Sequence, residues 1–237
     1  MCIRDSLINL AQYDAQLDAE FRTWIERLVR VEWADGSVIA EDERRANNHG
    51  RMAGASRVAV AVYLGDEEEI TAAAQVFRGL LGDREAYDGF KFNRGLSWQA
   101  DPTQPVGINP MGASKQGLVI DGALTEEMRR GCDFHIPPCH TGYPWEALQG
   151  IVVEANILYR QGYDVWNWED QAILRAVQFL DRLQQLYPHQ TWWAERDDNW
   201  VPWLINAVYG THFPTAEPRN MGKNMGWTDW THGPPGR

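Results

Sequence analysis

The sequence predicts an all-α protein: an incomplete α/α toroid of paired antiparallel helices, with a long irregular active-site loop between its two helical halves. Three observations carry that expectation. Apolar residues recur at helical spacing over about residues 7–88 and 143–210, and glycine-marked stops punctuate these stretches. Phe90 to Gly142, rich in Gly and Pro, has little periodicity of either kind. Helices paired through short turns hide one apolar face each, which is the toroid arrangement.

Taken in order, Leu7 to Val31 has helical spacing and is stopped by Asp35-Gly36. Val58 to Leu64 reads as a short buried helix ended by Gly65, and Glu67 to Leu81 as a helix stopped by Gly82-Asp83. Trp145, Leu148, Val152, Ala155 and Leu158 share one face of a helix that Gly162 ends. Trp166 to Leu186 repeats the pattern, with Ile173, Val177, Leu180 and Leu183 inward and Pro188 beyond. The tail from Pro214 to Arg237 reads as irregular. Met1 to Ser6 has no secretory pattern and reads as an artefactual start. Residues 7–237 then form the toroid domain, as the C-terminal part of a longer one.

Composition bounds the partners. A 237-residue chain, 44% hydrophobic with mean hydropathy −0.47, fits one large domain or two small ones. No apolar run approaches the roughly 20 residues that cross a bilayer, so no membrane is expected. The net charge of −11 argues against nucleic acid. It does not exclude an anionic substrate. Asp66 to Glu69, Glu126-Glu127 and Asp197-Asp198 hold acid in clusters, and surface charge is screened beyond roughly 10 Å, so a cleft can stay locally positive.

The run Asn47-Asn48-His49-Gly50 precedes the apolar stretch from Val58. As local structure it is a polar turn closed by a helix-ending glycine. As chemistry, an adjacent amide and imidazole can bind a carboxylate, the group that a uronic-acid sugar presents. Further pieces follow in Gly107-Ile108-Asn109-Pro110, Ile120-Asp121-Gly122, Arg129-Arg130-Gly131, Tyr143-Pro144-Trp145-Glu146-Ala147-Leu148 and Arg160-Gln161-Gly162-Tyr163. With Tyr63-Leu64-Gly65-Asp66, their order and spacing resemble the alginate lyase superfamily over about residues 40 to 230, in particular its branch acting on mannuronan or glucuronan.

That resemblance implies a polysaccharide lyase cleaving a β-1,4-linked polyuronate by β-elimination, without a metal or other cofactor. Its partner would be the anionic polysaccharide, and the full-length protein would be periplasmic or secreted. It sets no oligomeric state. Carried over residue by residue, Asn48, His49 and Arg130 neutralise the substrate carboxylate, and Tyr143 protonates the departing oxygen 4. Either Tyr143 or His49 takes the proton from carbon 5. Arg129 stands as the alternative arginine and a substrate contact. This chain departs from the better-known pattern in separating Arg130 from Tyr143 by Cys132 to Thr141, so His140 competes for the tyrosine's position. The resemblance also places the Asn-His pair deep in the family's chain, so roughly a hundred or more residues are expected to precede this one.

Each residue has a plainer role available. Glu126, Glu127, Arg129 and Arg130 can form a solvated helix end with i,i+3 and i,i+4 pairs. Tyr143 can pack on Trp145. Among twelve tryptophans most are expected in the core, with Trp192 or Trp193 as a sugar-stacking platform because both cannot face inward from one helix. Asn93, Trp98, Asn109 and Lys115 are further cleft candidates, and Lys223 is expected to be filler. Cys132, His135, Cys139 and His140 are potential zinc ligands, but Cys132 and Cys139 can equally pair as a disulfide or remain thiols. Two rival classes remain. A glycoside hydrolase would need paired acids drawn from Asp121, Glu146 and Asp170, and a non-catalytic polysaccharide-binding protein would need the tryptophans alone.

Overall fold

The computed structural model describes residues 14–34, 36–92, 96–217 and 225–233. Met1 to Tyr13, Asp35, Asn93 and Lys223 lie outside the described residues. Of the described residues 57% are helical and 4% are in strands, so the protein is all-α.

Helix α1 (Ala15–Arg30) is capped by the Asp14 carboxylate, which accepts from the N–H groups of Gln16 and Leu17. Helix α2 (Val38–Arg44) starts at the Ser37 hydroxyl. Helix α3 (Asn48–Leu64) ends at Gly65 in the left-handed region, and α4 (Glu67–Leu81) begins at the capping carboxylate of Asp66. Glu67, Glu68 and Glu69 crowd the first turn of α4, where the helix dipole favours them. The short α5 (Thr125–Met128) is followed by α6 (Tyr143–Arg160), α7 (Trp168–Leu186), α8 (Trp200–Tyr209) and α9 (Thr228–His232).

Helix α3 is the centre of the fold. It packs most extensively on α6, and α1, α2 and α4 also rest on it, while α4 carries the contact on to α7. The crossing of α3 and α6 is tight because Gly150 admits backbone: a Cβ there would lie 2.6 Å from the Arg51 carbonyl carbon and oxygen. Apolar side chains fill the interior from both halves of the chain, among them Val58, Phe77, Leu148, Ile151, Val177 and Leu180.

A charged layer is sealed into the α2–α3–α6 contact. Asp42, Arg51 and Glu154 are fully buried and Arg57 nearly so. Arg51 bonds the Asp42 carboxylate and carbonyl and the Arg45 carbonyl, and Arg57 bonds Asp42 at 2.9 Å and also Glu69. Burial, reinforced by Asp42, raises the Glu154 carboxyl well above its ordinary range.

Helix α3 is longer than the apolar pattern predicts. The expected helix from Val58 gains ten residues at its front, including the whole Asn-His-Gly run. Gly50, Arg51, Gly54 and Arg57 are buried there in place of apolar residues, so hydrophobic periodicity is blind to this half. The tail also corrects expectation, since α9 lies within it and the Thr228 hydroxyl donates to the Trp200 carbonyl at 2.6 Å.

The expected long loop is tied down by polar bonds. Asn109 is buried and binds the carbonyls of Trp98 and Ile120, while Gln99 bonds Val106 in both directions. Lys115 donates to the carbonyls of Ser97 and Gln99, and strands β1 (Ser114–Lys115) and β2 (Leu118–Val119) form a small hairpin. Asp121 accepts from Arg175 on α7 at 2.7 Å. A disulfide joins Cys132 to Cys139. These bonds satisfy a backbone that has no regular ladder beyond that hairpin.

Candidate functional site

Two parts of the chain meet at the N-terminus of α3. Asn47 caps the helix, its side-chain oxygen accepting from Gly50 N–H at 3.2 Å. Gly50 therefore starts a helix and ends none. It is glycine because a Cβ would lie 1.8 Å from the Arg45 carbonyl oxygen. Asn48 and His49 follow in the first turn and line an open cleft of about 420 Å³. Glu41 and Met52 also line it, and Glu146 reaches it from α6. Glu41 is held by Arg44 at 2.9 Å and Arg45 at 2.8 Å, which offsets its charge.

The second part is α5. Thr125, Glu126, Glu127 and Met128 are all buried, so this segment is no solvated helix end. Glu126 is engaged by Arg129 through contacts of 2.9–3.2 Å, which commits that arginine to structure. Glu127 is fully buried and accepts the Asn48 backbone N–H on Oε1. Burial pushes its carboxyl up to about 8, against the opposing pull of that N–H and of Arg130.

Arg130 stays exposed and lies over the Tyr143 ring, its guanidinium carbon 3.8 Å from the ring centroid. The fold thus brings together two residues that twelve others, Gly131 to Gly142, separate in sequence. The disulfide within that insert shortens the path between them. Tyr143 is 37% exposed at the start of α6, one turn before the cleft-lining Glu146. Residues three apart on a helix are neighbours. Asn48, Glu127, Arg130 and Tyr143 are therefore linked contact by contact, with His49 adjoining.

The other expected residues fall elsewhere. His140 Nε2 bonds the Thr191 carbonyl at 2.6 Å and its ring meets Trp192 edge-on. Trp192 and Trp193 lie between α7 and α8, outside any helix. Trp192 is 1% exposed, and its carbonyl and indole N–H are both bonded internally. Half-buried Trp193 packs against Trp145 and Phe213 and donates to the Pro214 carbonyl. Trp98, Asn109 and Lys115 brace the loop. The disulfide consumes both thiols that a zinc site at His135 and His140 would need.

Glu127 is the residue that sequence reasoning missed. Its run of acids and bases has the spacing of surface ion pairs, and nothing in that spacing tells a buried glutamate from an exposed one.

An amide and an imidazole lining one cleft can bind a carboxylate, and a phenol beneath a guanidinium can move a proton. Residues 5–94 match the family model described as Alginate lyase. The match spans Asn48 and His49 and makes that segment of the chain similar to the alginate lyases. No curated protein and no solved structure matches the chain significantly. Among the described residues no helix is long and apolar enough to cross a membrane.

Proposed function

We propose that this protein cleaves a β-1,4-linked polyuronate, mannuronan or glucuronan, by β-elimination. The observation that carries this reading is the chain of contacts in which Asn48 N–H donates to the Glu127 side chain, Arg130 N–H donates to the Glu127 carbonyl, and the Arg130 guanidinium lies over Tyr143, since neutralising a carboxylate and transferring a proton must happen at one sugar. Asn48, His49 and Arg130 hold the carboxylate and stabilise the charge that spreads onto it as carbon 5 loses its proton. Tyr143 or His49 accepts that proton. The electron pair left on carbon 5 forms the double bond to carbon 4, the bond from carbon 4 to oxygen 4 breaks, and Tyr143 protonates the departing oxygen. Arg129 remains a substrate contact only through the edge of its pair with Glu126. His140 and Trp193 belong to a flanking surface, where Trp193 offers what ring face its packing leaves, and Trp192 lies buried beneath it.

The helical layers around α3 and α6 fit an α/α toroid as the larger architecture. The Cys132–Cys139 disulfide supports a periplasmic or secreted setting, where thiols oxidise. The hydrolase reading loses ground because its acids are dispersed: Glu146 lines the Asn48 cleft, Asp170 another, and Asp121 is bound to Arg175.

The test is digestion of polymannuronate, polyguluronate and glucuronan while following the ultraviolet absorbance of the unsaturated uronate. Rising absorbance on the first or third polymer is expected. New reducing ends without that absorbance would mean hydrolysis, and binding without either would mean a polysaccharide-binding protein.

A further inference from the structure

Two buried acceptors belonging to one pair of touching residues lack donors. Glu127 Oε2 and Asn48 Oδ1 are both buried and neither has a hydrogen-bond partner among the described residues. The residues are already joined, since Asn48 N–H donates to Glu127 Oε1. An ionised carboxylate offers only acceptors, so it can relieve neither atom. A carboxylic acid carries one donor, which suffices for both.

Resting on the lyase reading above, we propose that Glu127 is a positioning residue that works as a neutral acid, its Oε2–H donating to Asn48 Oδ1 and so turning the Asn48 amide NH2 to the cleft as a donor to the substrate carboxylate. The amide's two ends are otherwise free to exchange places. With its oxygen held from beneath, the end that faces an anion is a donor.

The surroundings favour the neutral form. Among the described residues Glu127 has no ion-pair partner within 4 Å, because Arg129 is bound to Glu126 and Arg130 lies over Tyr143. An ionised carboxylate buried without a partner is among the costliest arrangements a protein can hold. The charged and titratable groups around it are Glu126, Arg129 and Arg130 on α5 and its end, His49 at the start of α3, and Tyr143 and Glu146 on the first turn of α6. The adjoining turn Leu96–Trp98 contributes none.

Glu127→Gln and Glu127→Leu separate the proposal from a general structural role. Glutamine keeps one acceptor and one donor in place, so this variant should lose no more than about threefold in kcat/KM. Leucine removes both and should raise KM for the polyuronate about tenfold or more while the far-ultraviolet spectrum stays that of a folded helical protein. Infrared difference spectra between the parent and Glu127→Gln supply a readout independent of turnover, and near neutral pH they should show a protonated-carboxyl band that disappears at alkaline pH. Carboxylate bands alone near neutral pH, or a glutamine variant as impaired as the leucine one, would overturn the proposal. A protonated-carboxyl band in a protein that yields no unsaturated product would overturn the lyase reading and leave the protonation of Glu127 standing.

Discussion

Glu127 changes its chemistry with its surroundings more than any other residue near the cleft. Its carboxyl is raised from 4.5 to about 8, so between those values the folded protein holds a proton that the unfolded chain has released. The stabilisation linked to that proton is complete below pH 4.5 and is lost as pH climbs through about 8. Within that window the slope approaches about 1.4 kcal/mol per pH unit. Thermal unfolding of the parent and of Glu127→Gln in parallel should therefore show the parent losing ground to the variant as pH rises, with no further change above the window. A difference independent of pH would mean an ionised Glu127. The sequence conceals this residue because Glu126, Glu127, Arg129 and Arg130 have the spacing of exposed ion pairs, and only the packing of α5 under Asn48 shows that both glutamates are taken inside and that Glu127 meets Asn48 there.

Among the elements, those that obey ordinary helix grammar are legible from residue types. Helix α4 runs from Glu67 to Leu81 as its periodicity predicts, because Asp66 caps it and Gly82 stops it. Helix α3 breaks that grammar: its first half buries glycine and arginine, so its length emerges only from contacts with α2 and α6. That crossing makes a sharp prediction. Gly150→Ala would set a methyl group 2.6 Å from the Arg51 backbone and should destabilise the protein by about 1–3 kcal/mol, read as a lowered denaturation midpoint with an unchanged slope. The loop between α5 and α6 depends on its cross-link in turn. Cys132→Ser with Cys139→Ser should cost about 2 kcal/mol, and adding a reductant to the parent should reproduce the loss. Equal stability with and without reductant would mean that the bond does not form.

For the whole molecule, the helical class and the irregular insert are visible in the sequence, whereas the assembly of the site is not. Arg130 and Tyr143 look distant along the chain and stack in the fold. The same scale exposes a liability on α1, where Leu17, Phe21, Trp24 and Leu28 form a stripe that is 40–61% exposed among the described residues. An apolar stripe of that kind drives self-association. Replacing Leu17 and Trp24 with glutamine should raise the concentration at which the protein stays in solution, by light scattering, without lowering its unfolding temperature; a lowered temperature would show that the stripe is part of the packing.

In the proposed reaction, residues from α3, the end of α5 and α6 act as one elimination centre. Tyr143→Phe tests it most directly, because the ring that Arg130 covers is retained and only the hydroxyl is lost. On whichever polyuronate the parent cleaves, the ultraviolet signal should fall about 100- to 10,000-fold in the variant, at an unchanged unfolding temperature. A variant that forms unsaturated product at the parent's rate would remove Tyr143 from the chemistry and dissolve that centre.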